Sequence, residues 1–250
     1  SIIGFSEVLS TSDKLSDKER RYAGNIQSSG KMLLGLINDI LDLAKIESGK
    51  MELHPEEFSV RDVIEGLIAM ARPIAEKKTI EIEMDVAPEI SVAYQDAGKI
   101  QQILYNLMSN AIKFTPEGGR VIVSADADET TLVLGVEDTG VGIPPEDRDR
   151  IFEKFRQGGR GIVGGENILT RQYTGSGLGL SIVREICRML GGEVSLESVL
   201  GKGSTFTVRV PLRLKQGQQF HVPLSDERID LSKARKIDLQ LLASSSSTAE

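Results

Sequence analysis

The run Lys99-Ile100-Gln101-Gln102-Ile103-Leu104-Tyr105-Asn106-Leu107-Met108-Ser109-Asn110-Ala111-Ile112-Lys113-Phe114-Thr115 limits the folds open to this chain more than any other stretch. At 3.6 residues per turn, Ile100, Ile103, Leu104, Leu107 and Ala111 share one face of a helix, while Gln102, Asn106, Asn110 and Lys113 share another. Such a helix must lay one side on a core and show the other to something polar. Its polar side is unusual in kind. Solvated helix faces are normally filled with Glu, Lys and Arg, whereas Asn disfavours helix interiors because its side chain competes for backbone hydrogen bonds. Two carboxamides one turn apart read either as a capping or core network, or as neutral oxygen ligands that help hold Mg2+ while phosphates supply the charge, with Lys113 one turn on to meet a phosphate oxygen.

Glycine punctuation follows. The strand-like segment Thr131–Val136 runs into Glu137-Asp138-Thr139-Gly140-Val141-Gly142-Ile143-Pro144. Glycines at a spacing of two let backbone approach a flat ligand, and a carboxylate at the strand end can accept from an exocyclic amine. Further on, Thr174-Gly175-Ser176-Gly177-Leu178-Gly179-Leu180 opens a segment whose apolar residues have helical spacing. Glycines at a helix start aim bare N–H groups and the positive end of the helix dipole at one spot, which suits a phosphate chain. No Lys-Ser or Lys-Thr pair follows, so it is no Walker A loop, and no strand precedes it, so it is no Rossmann fingerprint. A third turn, Gly201-Lys202-Gly203-Ser204-Thr205-Phe206, enters an alternating strand, and Thr205 is expected to hydrogen-bond near the base of a pocket. Taken singly, each loop reads equally well as a plain turn.

In order, the Asn helix, Asp-x-Gly-x-Gly (Asp138 to Gly142), Phe-x-x-Phe (Phe152 to Phe155), Gly-x-Gly-Leu-Gly-Leu (Gly175 to Leu180) and the last glycine turn resemble the catalytic domain of sensor histidine kinases. The resemblance implies the GHKL, or Bergerat, ATP-binding fold, an α/β two-layer sandwich, over residues 58–214, with a lid at 156–175. Strands mixed with helices without regular βαβ alternation suggest the same architecture. The resemblance further implies ATP with its adenine against Asp138, and with Thr205 and Gly142 nearby. Mg2+ would be held by Asn110 with help from Asn106. Lys113 and Arg156 would add positive charge, and the N–H groups of Gly177, Leu178 and Gly179 would cradle the phosphates. Phe114, Gly140, Ile143, Gly175 and Leu180 complete the nucleotide-contacting set it implies. Gyrase-type ATPases, which share the fold, carry Glu one turn before the Mg2+ ligand. Asn106 occupies that position here and cannot take a proton from water, so hydrolysis is expected to be poor. Two other readings stand beside the kinase: a non-catalytic nucleotide-sensing or scaffolding module, and a gyrase-type ATPase.

The N-terminal 50 residues are helical in pattern. Leu15-Ser16-Asp17-Lys18-Glu19 offers a cap for a helix through Ile46, along which Tyr22, Ile26, Leu33, Ile37, Ile40 and Ala44 recur at threes and fours, widened by Leu36, Leu41 and Leu43. That is more apolar surface than one short helix covers, so a bundle or dimer is expected. The resemblance implies a four-helix stem between two chains, with the phosphorylated histidine upstream of Ile2-Ile3-Gly4-Phe5 and none of this role within the chain. His54, in a Pro-marked junction at 51–57, and His221, in the polar tail, are expected to be exposed and unspecialised. A response-regulator receiver domain is the implied partner.

The net charge of −7 argues against nucleic acid or an anionic membrane surface, and 4% aromatic residues without Trp require an aliphatic core. The one cysteine, Cys187, lies in a helical apolar pattern and reads as a core residue, which together with the lack of a membrane-length apolar run or signal peptide suggests a cytoplasmic setting. Besides the Asn helix, a helix from Phe58 (stripe Val60, Val63, Ile64, Leu67, Ala71, Ile74), strands Thr79–Val86, Ser91–Tyr94, Arg120–Ala125, Thr131–Val136, Glu193–Ser198 and Thr205–Val210, and a short helix Glu146–Phe155 are expected. Residues 215–250 are expected to be a disordered tail, with a short helix possible at Leu231–Leu242.

Overall fold

The computed structural model describes residues 1–12, 15–88, 90, 92–155 and 177–214. Two helices come first, α1 (Ile2–Ser10) and α2 (Asp17–Glu47). The start of α2 is set by a capping box: the Ser16 hydroxyl accepts from the Glu19 N–H, and the Glu19 carboxylate accepts from the Ser16 N–H at 2.8 Å. Most of the α2 stripe stays uncovered within one chain. Tyr22, Ile26, Leu33, Leu34, Ile37 and Leu41 are exposed, as are Ile2, Phe5 and Val8 of α1.

The remainder is a two-layer sandwich. Its elements are β1 (Glu56–Phe58), α3 (Val60–Glu76), β2 (Glu81–Val86), β3 (Ala93–Gln95), α4 (Ala97–Phe114), β4 (Arg120–Ala127), β5 (Thr131–Asp138), α5 (Gly179–Met189), β6 (Glu193–Val199) and β7 (Gly203–Pro211). The main sheet has the order β2-β4-β5-β7-β6, parallel at β2–β4 and antiparallel elsewhere. A parallel pair needs a crossover, and α4 supplies it. Alternation along the strands puts Val121 and Val123, Leu132, Leu134 and Val136, and Phe206, Val208 and Val210 on the helix side, against Ile100, Ile103, Leu104 and Leu107 of α4 and Ile182 and Ile186 of α5. The core is aliphatic, with Phe152 and Phe206 meeting edge to face at 6.4 Å.

Several expectations need correction. The strand expected from Thr79 begins at Glu81, because Thr79 turns with φ +51 as the chain leaves α3. In the last turn of α3 Ala75 faces the core and Ile74 is 58% exposed, since the small alanine lets the chain close on itself, Ile80 N–H donating to Ala75 C=O at 3.0 Å. The expected helix Glu146–Phe155 is only a 3-10 turn at Pro145–Asp147 followed by further turns. There Phe152 is drawn into the core and Lys154 reaches Glu47, so tertiary anchors override a weak local preference. The junction at 51–57 hides a strand: β1 pairs antiparallel with β3, Glu57 opposite Tyr94. Of the expected strand Ser91–Tyr94, Ser91 lies outside the described residues. So do the expected lid, His221 and the tail with its helix at 231–242.

No helix among the described residues is long and apolar enough to cross a membrane.

Candidate functional site

Polar groups converge where α4, the start of α5 and the loops after β5 and before β7 meet. Gln102, Asn106, Asn110 and Lys113 lie half-buried along one side of α4, while Ile100, Ile103, Leu104, Leu107 and Ala111 are buried on the other. The Asn106 amide is oriented by its own helix, its Nδ2 donating to Gln102 C=O at 3.0 Å. Its oxygen therefore faces the start of α5, close enough that a Cβ built on Gly179 would lie 3.0 Å from it. Only glycine leaves that gap open. The N-cap position of α5 is Leu178, whose side chain has no acceptor for the first turn, and Gly177 before it has φ +70. The dipole end of α5 thus looks across a narrow gap at an amide oxygen.

Lys113, one turn further, has its Nζ 4.8 Å from the centre of the Phe114 ring, and burial holds its ammonium below the ordinary lysine pKa. A phosphate nearby would offset the cost of keeping that charge. The end of α4 is held by Lys78, whose Nζ donates to Ile112 C=O (2.8 Å), Lys113 C=O (2.9 Å) and Thr115 C=O (3.0 Å).

At the other end Asp138 closes β5, 7% exposed, with Oδ1 accepting from Gly140 N–H at 2.8 Å. Burial pushes its carboxyl above the ordinary carboxylate value. The backbone N–H groups of Gly140 and Ser204 oppose that shift, and the nearby Glu137 charge adds to it. A Cβ on Gly140 would meet Asp138 Oδ1 at 2.5 Å and Phe114 C=O at 2.8 Å, so this loop and the end of α4 are in backbone contact. Gly142 and Ile143 follow, the Ile143 N–H donating to Ser198 Oγ at 2.7 Å.

Asn106, Asn110, Lys113 and Phe114 of α4, Asp138, Gly140, Gly142 and Ile143 at and after the end of β5, and Gly177, Leu178, Gly179 and Leu180 at the start of α5 lie on the segments that meet here. Thr205 does not join them. In the β5–β7 register it stands opposite Glu137, while Ser204 stands opposite Asp138, so strand alternation puts Thr205 on the outer face of the sheet and Ser204 on the buried face beside Asp138. The alternation Phe206, Val208, Val210 already marks that parity in the sequence. Arg156 and Gly175 lie outside the described residues. Sequence reasoning also missed Lys78 and Ser198, which carry no motif, and the reach of Gln102 Nε2 to Asp42 Oδ2 of α2 at 2.7 Å. His54 is exposed, its backbone N–H donating to Asp96.

An amide oxygen, a lysine and a helix N-terminus together suit a magnesium polyphosphate, with Asp138 placed for an exocyclic amine. Among the described residues no cluster of three or more His, Cys, Asp or Glu is placed to hold a metal, so a cation here would draw its remaining ligands from phosphate and water.

Comparison with known proteins agrees with this chemistry. Residues 95–214 match the family described as histidine kinase-, DNA gyrase B-, and HSP90-like ATPase, and residues 1–49 match the His Kinase A (phospho-acceptor) domain. The chain is 39% identical over 215 residues to the histidine protein kinase DivJ of Caulobacter vibrioides, covering 85% of this chain and 35% of that protein. It is 38% identical over 212 residues to the sensor histidine kinase RcsC of Escherichia coli, covering 84% of this chain and 21% of that one. It therefore spans well under half of either relative. Among solved structures, full-length ShkA in complex with AMPPNP superposes with a TM-score of 0.70 at 32% identity, over 86% of this chain and 43% of that one. The nucleotide-free catalytic domain of the histidine kinase ThkA gives 0.54 at 27% identity, over 65% of this chain and 99% of that one.

Proposed function

Because this chain belongs to the sensor histidine kinases of two-component systems, we propose that its crevice binds Mg-ATP and delivers the γ-phosphate to a histidine on a helical stem of the α1–α2 kind. From there the phosphate passes to an aspartate of a response-regulator receiver domain. In the first step the bond from the γ-phosphorus to the β-bridging oxygen breaks as a nitrogen–phosphorus bond forms, and ADP leaves.

Each residue has a role set by its place. Asp138 accepts from the adenine amino group, in a pocket dry enough to make that bond selective. Asn110 and Asn106 would hold Mg2+ through their amide oxygens, and the ion would neutralise and align the phosphates when bound. Lys113 and the start of α5 take the phosphate oxygens. Transfer of this kind needs mainly position and charge neutralisation, and these groups supply both without a nucleophile of their own. The observation that carries the reading is the Asn106 amide, turned by Gln102 so that its oxygen faces the α5 N-terminus. A carboxylate there would activate water. A carboxamide does not, which favours the kinase over a gyrase-type ATPase.

The exposed apolar faces of α1 and α2 support pairing of two copies into a four-helix bundle. The kinase reading is tested by incubating the protein with radiolabelled ATP and a supplied histidine-bearing helical hairpin of the same family. Label on that histidine is expected. Its absence, with ATP shown to bind, overturns the reading in favour of a nucleotide-sensing scaffold.

A further inference from the structure

The base end of the crevice is framed by two loops, residues 138–144 and residues 199–204, that touch backbone to backbone. A Cβ on Gly142 would come within 2.1 Å of Val199 C=O, and one on Gly203 within 1.9 Å of Asp138 C=O. Gly201 N–H donates to Val141 C=O at 2.8 Å. Across this seam stands Ser198, near the end of β6 and 7% exposed. Its hydroxyl accepts from Ile143 N–H at 2.7 Å, donates to Gly203 C=O at 2.9 Å and lies 3.0 Å from the Ser204 hydroxyl. A hydroxyl has one hydrogen and two lone pairs. With the hydrogen on Gly203 and one lone pair on Ile143, the other lone pair takes the Ser204 hydrogen, so every bonding capacity of Ser198 is used within the seam. Ser204 in turn stands opposite Asp138 on the same face. The Arg148 guanidinium donates to the Ser198 carbonyl and so holds its backbone.

We propose that Ser198 is a positioning residue for adenine recognition: its hydroxyl sets the separation of the two loops and the orientation of Ser204, and thereby the mouth of the pocket at Asp138. It touches neither the phosphate end nor α4. Its loss is therefore expected to weaken binding through the base and to leave transfer intact once the site is filled. A serine that merely completed the fold would, when replaced, lower stability and leave the affinity for adenine nucleotides alone.

The proposal rests on the nucleotide reading above. Its test measures dissociation constants for ATP, ADP and adenosine, melting temperature, and the rate of label transfer to the supplied histidine hairpin at saturating ATP, for wild type, Ser198→Ala, Ser198→Thr and Arg148→Met. Ser198→Ala is expected to weaken all three ligands by a common factor of roughly tenfold, the effect of one ordinary hydrogen bond, with the saturated rate within about twofold of wild type. Ser198→Thr, which keeps the hydroxyl, is expected to recover most of the affinity, and Arg148→Met to shift it in the same direction by less. If Ser198→Ala does not fold, Arg148→Met decides. Unchanged dissociation constants in Ser198→Ala, or in Arg148→Met where Ser198→Ala does not fold, weaker ATP with unchanged adenosine, or a lowered saturated rate each overturn the proposal. Wild type that binds no adenine nucleotide removes the nucleotide reading and this proposal together, whereas wild-type binding with unaltered variants removes this proposal alone.

Discussion

Asp138 shows how a single buried acid can work against the fold that holds it. Its carboxyl is raised by burial, so the folded, nucleotide-free protein favours the protonated form more than the unfolded chain does. Its stabilising contribution is therefore complete below the ordinary aspartate value near 3.8 and is lost as pH rises through the raised value in the folded state. Asp138→Asn, which keeps an oxygen for Gly140 N–H, is expected to be at least as stable as wild type at pH 7, with the difference shrinking as pH falls towards 4; thermal melts across that range check it. The same variant is expected to bind ATP roughly ten- to hundredfold more weakly by calorimetry, since it loses a charged acceptor for the adenine amine. Asp138 was picked out of the sequence by the order of the motifs around it, since an acid before spaced glycines reads by itself equally well as a plain turn. Ser204 was not picked out, although the parity of Phe206, Val208 and Val210 places it. Ser198 had no local signal at all, because its partners lie on two other segments.

Among the elements, α4 was read correctly on both faces because a 3.6-residue period over five turns leaves little ambiguity. What the period does not show is how the helix ends. Lys78, from the turn after α3, gathers three carbonyls at the end of α4, where Lys113 must be held in place. Lys78→Met is expected to lower stability by about 1–3 kcal/mol in urea titrations, because those carbonyls lose a charged donor. It is also expected to weaken ATP more than adenosine, since Lys113 serves the phosphate end. The capping box of α2 was legible because Ser16 and Glu19 form a local motif, whereas β1 was not, because a three-residue strand is fixed by its partner β3 and not by its own sequence. The turn at Pro145–Asp147 was misjudged as a helix for a like reason: its side chains answer to distant anchors.

For the molecule as a whole, periodicity in α2 announced surface in search of a partner, and the uncovered faces of α1 and α2 agree. Replacing both Leu33 and Leu41 by Glu is expected to shift the protein from dimer to monomer in sedimentation while leaving ATP affinity unchanged, since neither residue approaches the crevice. Less visible in the sequence is how firmly the last turns of α2 belong to the sandwich. Leu43 and Ile46 are buried in its core, Lys154 Nζ meets Glu47 Oε1 at 2.5 Å, and Asp42 receives Gln102. A fragment beginning at Met51 is expected to melt several degrees lower than the full chain, because burial of each such side chain is worth about 1.5–3 kcal/mol. Trimming at the obvious seam would also leave the shortened piece with a greasy scar, wetted for the first time, and at rising concentration such scars are expected to find one another.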